Sequence, residues 1–279
     1  PYYKVGNSNR YDEEEVLRAF RIQIQKAKEP RFEPTRQYRA VDLFAGIGGI
    51  RLGFEQAFGD RIRFVWANDN DENCKRTYEE NFGANSIDPR FIEDVRDEEI
   101  PDHDILLAGF PCQPFSMAGE KKGFNDKTRG TLFYEIRKIL KAKRPCSFML
   151  ENVAYFEKHD GGRTWTVVKE VLEEELDYKI YSTALNAKFF GVPQNRPRFF
   201  VVGFSDRNVQ FDWPQPRTQV PVLKSILEKD VAANYYLGQR YLESLKSHRA
   251  RHEAKGHGFG YLVLDVEHDV AHALVVGGM

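Results

Sequence analysis

Ala40-Val-Asp-Leu-Phe-Ala-Gly-Ile-Gly-Gly49 is a short apolar run that ends in a glycine turn and passes directly into a helix-spaced segment, Ile50 to Phe58. Apolar runs of this length read as buried strands, and glycines at a strand–helix junction let the backbone approach a ligand held at the helix N-terminus. Outward from this stretch the pattern repeats. Arg63-Phe-Val-Trp-Ala67 reads as a second strand, Asp71 to Phe82 as a helix, Asp104-Ile-Leu-Leu-Ala108 as a strand and Thr131 to Ala142 as a helix. Ser147 to Leu150 is a further strand and Thr164 to Glu175 a helix, with strands following near Lys179 to Ala184 and Arg198 to Gly203. This alternation predicts an α/β fold, a doubly wound and mostly parallel sheet. After Trp213-Pro-Gln-Pro216 the rhythm is lost, and 208–279 reads as a small, irregular second domain.

The chain has 279 residues, enough for one large domain and a smaller one. Its net charge of −1 excludes a globally basic polyanion binder, so any nucleic-acid surface must be a local patch. Cys74, Cys112 and Cys146 are odd in number and widely spaced, which suggests neither a disulfide framework nor a metal site. A reducing cytosol is the simplest setting for them. With no signal-peptide pattern and no long apolar run, the expectation is a soluble intracellular protein.

The glycine turn Phe44-Ala-Gly-Ile-Gly-Gly49 differs in spacing from the dinucleotide fingerprint, so a pyrophosphate is not its obvious guest. The second strand ends in Asn68-Asp-Asn-Asp71, where an acidic side chain is placed to accept hydrogen bonds from ribose hydroxyls. A third strand-end candidate is Glu93-Asp-Val95, with Asp94 facing an adenine amino group and Val95 its ring. For each of these acids a solvated loop residue or a helix cap is the competing reading.

At the other side of the same crevice, Gly109-Phe-Pro-Cys-Gln-Pro-Phe-Ser116 follows a buried strand. Pro111 and Pro114 stiffen the turn and remove backbone donors, so the loop around Cys112 holds one shape. A cysteine in such a loop is a candidate nucleophile, against the plainer reading of a small buried thiol. Glu151-Asn-Val153 brings a carboxylate to a strand end, where its charge state depends on burial. Gly191-Val-Pro-Gln-Asn-Arg-Pro-Arg198 carries Arg196 and Arg198 at alternate positions of an extended segment, with forked donors for oxygen ligands. On an ordinary surface hairpin the same arginines are solubilising charges.

Taken together, Phe44-Ala-Gly-Ile-Gly-Gly49, Gly109 to Ser116, Glu151-Asn-Val153 and Gln194-Asn-Arg-Pro-Arg198, in that order, resemble the S-adenosylmethionine-dependent cytosine-C5 DNA methyltransferase family. The resemblance runs closely from Arg39 to Phe204. It implies a Rossmann-like methyltransferase fold with a target-recognition domain, and methyl transfer to C5 of a cytosine flipped out of double-stranded DNA, leaving S-adenosylhomocysteine. It implies catalytic roles for Cys112 as nucleophile at C6, Glu151 at N3 and the exocyclic amine, Arg198 at O2, and Arg196 in the same pocket. It places the cofactor against Phe44, Ala45, Gly46, Gly48, Gly49, Asp69, Asn70, Asp94, Val95, Gly109, Pro111 and Leu132. It places DNA against Gln113, Ser116, Lys121, Lys122, Lys127, Arg129 and Gln194, with 117–130 similar to the family's mobile loop. No metal and no membrane are implied. A prokaryotic cytoplasmic enzyme of a restriction-modification system is the implied setting, with an RNA (tRNA) cytosine-C5 methyltransferase or an inactive DNA-binding relative as alternatives.

The chain also departs from the family's usual order. Tyr3-Lys-Val-Gly-Asn-Ser8 and the helix-spaced residues after it resemble a motif that normally comes last, which suggests a circular permutation with Asn7 and Ser8 at the methionine end of the cofactor. The expected organisation is therefore 1–28 as a permuted helix motif, 39–207 as the catalytic domain and 208–279 as a partial target-recognition domain. His272-Ala-Leu-Val-Val-Gly-Gly278 resembles an early segment of that domain, so either a second polypeptide or a further stretch of the same chain is expected to supply the remainder. The basic run from Lys246 to Lys255, with Arg249 and Arg251, is the DNA-backbone candidate there, and a solvated helix face explains its charges almost as well.

Overall fold

The structure, a computed structural model, describes the backbone of 3–5 and 8–10 and, with side chains, residues 36–111, 132–256 (Tyr235 by its backbone alone), 264–267 and 269–272. Several expectations lie outside the described residues: the nucleophile Cys112, the loop residues Gln113, Ser116, Lys121, Lys122, Lys127 and Arg129, the residue Asn7, the side chain of Ser8, and the helix expected after it. The chain forms two units, one of 1–185 with 197–215 and the other of 186–196 with 216–279.

In the first unit, strands β3 (Tyr38–Leu43), β4 (Ile62–Asn68), β5 (Ile105–Gly109), β6 (Ser147–Val153), β7 (Lys179–Asn186) and β9 (Pro197–Phe204) form one sheet in the order β4-β3-β5-β6-β9-β7. The four strands from β4 to β6 are parallel, and β9 is antiparallel to β6. Chain order reverses between β3 and β5, and in open α/β sheets ligands bind at the strand C-termini beside such a reversal. The glycine turn leaves β3 there, and the cysteine loop leaves β5.

Alternation along these strands builds two cores, as the pleat requires. Val41, Leu43, Leu106, Ala108, Phe148, Leu150, Phe199 and Val201 face helices α3 (Leu132–Lys143) and α4 (Arg163–Glu170), which contribute Phe133, Ile136, Ile139, Leu140 and Val168. Ala40, Ile105 and Leu107 face the opposite way, where Ile50, Phe54 and Phe58 of α1 (Gly49–Phe58) pack. Helix α2 (Glu72–Phe82) closes a third cluster through Tyr78 and Phe82, and the Asp71 carboxylate caps it by accepting from the Asn73 and Cys74 amides. Both faces are thus covered, which is why the strands read as apolar runs instead of alternating ones.

Two boundaries differ from the sequence reading. Strand β6 extends to Val153 because its antiparallel ladder with β9 continues to the pair Val153 and Arg198. Helix α4 stops at Glu170 and gives way to a π turn, Val171–Glu175, in which Leu176 N–H reaches Val171 O; Val171, Leu172 and Leu176 are all buried in the main core.

The N-terminal segment forms a small antiparallel ribbon, β1 (Tyr3–Val5) with β2 (Ser8–Arg10). In the second unit, β8 (Gln194–Asn195) pairs in parallel with β10 (Ala271–His272), and α5 (Gln239–Glu253) contains no buried residue. Among the described residues no helix is long and apolar enough to cross a membrane.

Candidate active site

The glycine turn is shaped by backbone conformations that few residues tolerate. Phe44 has φ 54, Gly46 φ 55 and Gly48 φ 87, all in the region where a Cβ is costly. At Gly48 the restriction is also spatial, because a Cβ there falls 2.2 Å from the Phe82 ring. The turn is tied to β4 by Ala45 N–H donating to Asn68 O at 3.0 Å and Gly46 N–H to the Asp69 Oδ2 at 2.8 Å. The other Asp69 oxygen accepts from Asp71 N–H at 2.9 Å. One carboxylate thus joins the glycine turn to the start of α2, and its remaining lone pairs are available to a ligand. Asn70 and Asp94 are exposed.

The Val95 side chain is 2% exposed and packed in the main core. The segment before it is anchored by Asn68, whose Nδ2 donates to Asp88 O at 3.0 Å and Arg90 O at 2.8 Å.

Beneath the turn lies a residue the sequence reading passed over. Asp42 is fully buried, both its oxygens lack a hydrogen-bond partner, and burial pushes its carboxyl up to about 8. Arg51 pulls it down and Asp69 pushes it further up, each by less than burial does. Arg51 itself donates to Glu55 Oε1 at 2.8 Å and to the Tyr78 hydroxyl at 3.2 Å, with its guanidinium 4.1 Å from the Phe82 ring centre. The one signal in sequence is a lone acid inside an otherwise apolar strand.

On the catalytic side, Gly109 and Glu151 form the last rung of the β5–β6 ladder. Glu151 therefore stands within a strand, not beyond one, three residues across from the exit toward Cys112. A Cβ on Gly109 meets Ile50 Cδ1 at 3.4 Å, Glu151 Oε2 at 3.6 Å and Phe44 O at 3.8 Å, so this glycine lies where the cofactor turn and the acid converge. Glu151 Oε1 pairs with Arg198 Nε at 2.8 Å, and the two side chains are 19% and 20% exposed. Such a pair presents an acid and a forked cation to a polar guest while both stay largely shielded from water.

Arg196 and Gln194 belong to the second unit, where Arg196 N–H donates to Asn186 Oδ1 at 3.0 Å and Gln194 joins the β8–β10 ladder. Arg196 lies between Asn195, the last residue of β8, and Pro197, the first of β9. Arg249 pairs with Glu253 at 2.7 Å, and Arg251 Nε donates to Ser247 O, both on α5. Pro111 is exposed and Leu132 opens α3 half-buried.

A doubly wound sheet with its ligand loops gathered at the β3–β5 reversal is the framework of Rossmann-like methyltransferases. The same fold appears in the crystal structure of a DNMT2 variant from Spodoptera frugiperda, with a TM-score of 0.62 at 23% identity over 75% of this chain and 65% of that one. The family model described as C-5 cytosine-specific DNA methylase matches residues 38–276. The chain is 47% identical over 231 residues to the Type II methyltransferase M.NlaX of Neisseria lactamica, spanning 82% of this chain and 72% of that protein. It is 41% identical over 257 residues to the Type II methyltransferase M.HpaII of Haemophilus parainfluenzae, spanning 90% of this chain and 70% of that protein. The chain belongs to the C-5 cytosine-specific DNA methylase family, and its reaction class is transfer of a methyl group to C5 of cytosine in DNA.

S-adenosylmethionine is the methyl donor this family implies, and the residues present fit it. The Cβ positions of Gly46 and Gly49 face open space with nothing within 4 Å, leaving room for a ligand against the backbone. Asp69 and Asp94 supply carboxylates suited to hydroxyl and amino donors.

Proposed function

We propose that this protein methylates cytosine within a specific double-stranded DNA sequence through a covalent adduct on Cys112, as the methylase of a restriction-modification system. The observation that carries the reading is the Glu151–Arg198 pair on the rung that adjoins the cysteine loop.

Cytosine C5 is a poor nucleophile until C6 is saturated. In the proposed sequence the Cys112 thiolate adds to C6, forming the S–C6 bond. Glu151 hydrogen-bonds N3 and the exocyclic amine as charge moves onto the ring, and Arg198 holds O2. S-adenosylmethionine, when bound, supplies an electrophilic methyl group on a sulfonium centre. C5 takes that methyl, a base removes the C5 proton, and the S–C6 bond breaks to return the thiolate. A stacked base cannot enter a site of this kind, so the cytosine leaves the duplex first.

For the cofactor, Asp69 is assigned to the ribose and Asp94 to the adenine amino group, with the Phe44–Gly49 backbone along the rest of the ligand. Arg249, Arg251, Gln194 and the cations of 117–130 are assigned to DNA phosphates and groove edges. The region 208–279 is assigned to target recognition.

The test is transfer of labelled methyl from S-adenosylmethionine to unmethylated bacterial genomic DNA by this chain alone, with tRNA as the parallel acceptor. Label at cytosine C5 in DNA supports the reading and removes the need for a second polypeptide. Label in tRNA alone, or methylation by a Cys112→Ala variant, overturns it. Silence from the single chain, with activity restored by a partner polypeptide, supports the two-chain form.

A further inference from the structure

The acid of Glu151-Asn-Val153 has a role in the reading above, and its asparagine has none. Asn152 is 3% exposed and follows Glu151 on the strand, so its side chain leaves the opposite face of the sheet. Its neighbours there are Phe110, Phe156 and Phe199 of the main core. It therefore cannot share the face that Glu151 and Arg198 present. Its amide is nonetheless fully employed: Nδ2 donates to Phe110 O at 2.9 Å, and Oδ1 accepts from Val153 N–H at 2.8 Å.

The placement of this contact explains its use. The β5–β6 ladder ends at the rung of Gly109 and Glu151, so the Phe110 carbonyl is the first past the ladder. Phe110 is buried, and a buried carbonyl requires a donor. The following residue, Pro111, has no N–H and restricts the conformation of Phe110. Asn152 supplies by side chain the bond that the ladder no longer supplies by backbone, and the Val153 amide holds that side chain in one orientation. Phe110 is further set by edge and tilted contacts with Phe156 and Phe133, at 5.5 Å and 6.2 Å between ring centres.

We infer that Asn152 is a positioning residue for the nucleophile: its Nδ2–Phe110 O bond fixes the strand exit from which Cys112 is delivered, and so sets the rate of adduct formation. This rests on the reading of Cys112 as the nucleophile. Misplacing a reacting group by about 1 Å costs about 10²-fold in rate.

The test uses the full chain with Asn152→Asp and Asn152→Ala. Three quantities are measured: the rate of covalent adduct formation on random-sequence duplexes carrying 5-fluorocytosine, which has no C5 proton to lose; the Kd for S-adenosylmethionine; and the thermal midpoint. Asn152→Asp keeps the shape and loses the donor while ionised. The expected result is an adduct rate about 10²-fold lower than wild type at alkaline pH, where the introduced carboxyl is ionised, with cofactor Kd within about twofold. A carboxyl buried against a carbonyl is protonated more readily than usual. The Asn152→Asp rate therefore recovers relative to wild type as pH falls, whereas Asn152→Ala shows no such recovery. An unchanged adduct rate and pH profile in Asn152→Asp overturns the inference, as does loss of cofactor binding or folding in both variants, which would make Asn152 a stability residue only. Adduct formation by Cys112→Ser sinks the nucleophile assignment itself; dependence on Cys112 with indifference to Asn152 sinks the positioning role alone.

Discussion

Glu151 and Arg198 meet at 2.8 Å although the β6–β9 register sets Glu151 opposite Phe200 and Arg198 opposite Val153. They are diagonal neighbours on one face of an antiparallel pair, a spacing that long side chains bridge. The pairing depends on β9 running antiparallel at the end of an otherwise parallel sheet. A parallel strand in its place would present a different diagonal.

Because the two groups act as a unit, their substitutions should not add. Glu151→Gln keeps hydrogen bonding but loses the charge, and kcat is expected to fall by about 10²- to 10³-fold. Arg198→Lys keeps charge and loses the planar fork, with an expected loss of about tenfold. The double variant should fall short of the product of the two losses. Single-turnover methyl transfer with cofactor saturated measures all three, and strict multiplicativity would show that the residues act independently.

The Asp69 carboxylate holds two backbone amides and is expected to serve the cofactor as well. Asp69→Ala should weaken S-adenosylmethionine by about 10- to 100-fold, since hydrogen bonds to a charged acceptor are each worth ~1.5–3 kcal/mol and this site is half-exposed. Asp69→Asn retains one oxygen acceptor and should fall between. Calorimetric titration reads both, and wild-type affinity in Asp69→Ala would remove Asp69 from the cofactor site.

At Gly48, positive φ and a Cβ position 2.2 Å from the Phe82 ring act together. Left-handed backbone costs a non-glycine residue ~1–2 kcal/mol, and overpacking ~1–3 kcal/mol. Gly48→Ala should therefore destabilise the fold by ~2–5 kcal/mol. Adding Phe82→Leu should return the steric part and leave the backbone part. Urea unfolding of the single and double variants separates the two, and a Gly48→Ala variant as stable as wild type would mean that the turn relaxes freely.

Local signals carried much of this architecture. Apolar runs bounded by glycine, as in Ala40 to Gly49, mark buried strands because both faces of the sheet are covered. The expectation that Glu151 shares a site with the cysteine loop came from the family resemblance, not from periodicity. What escaped depends on distant partners. The end of β6 is set by its antiparallel ladder with β9. Asn152 and Asn68 bond carbonyls 42 and 22 residues away, with no periodicity to announce either.

Asp42 provides a test of how burial under the glycine turn couples to pH. Burial pushes its carboxyl from 3.8 up to about 8. Between those values the folded protein holds a proton that the unfolded chain releases. The stability associated with this neutral carboxyl is fully present below the unfolded value, declines as pH rises, and is lost above about 8. Asn in this position has no proton to lose. The stability of Asp42→Asn relative to wild type should therefore rise with pH, by up to about 1.4 kcal/mol per pH unit, and level off once the wild-type carboxyl is ionised. Arg51, Asp69 and Tyr78 are the charged or titratable groups coupled to Asp42, and they remain in both proteins, so the difference isolates Asp42. Thermal midpoints of both proteins measured from acid to mildly alkaline pH give the answer. Curves that stay parallel throughout would show that Asp42 is ionised in the folded protein and that a donor inside the site satisfies it.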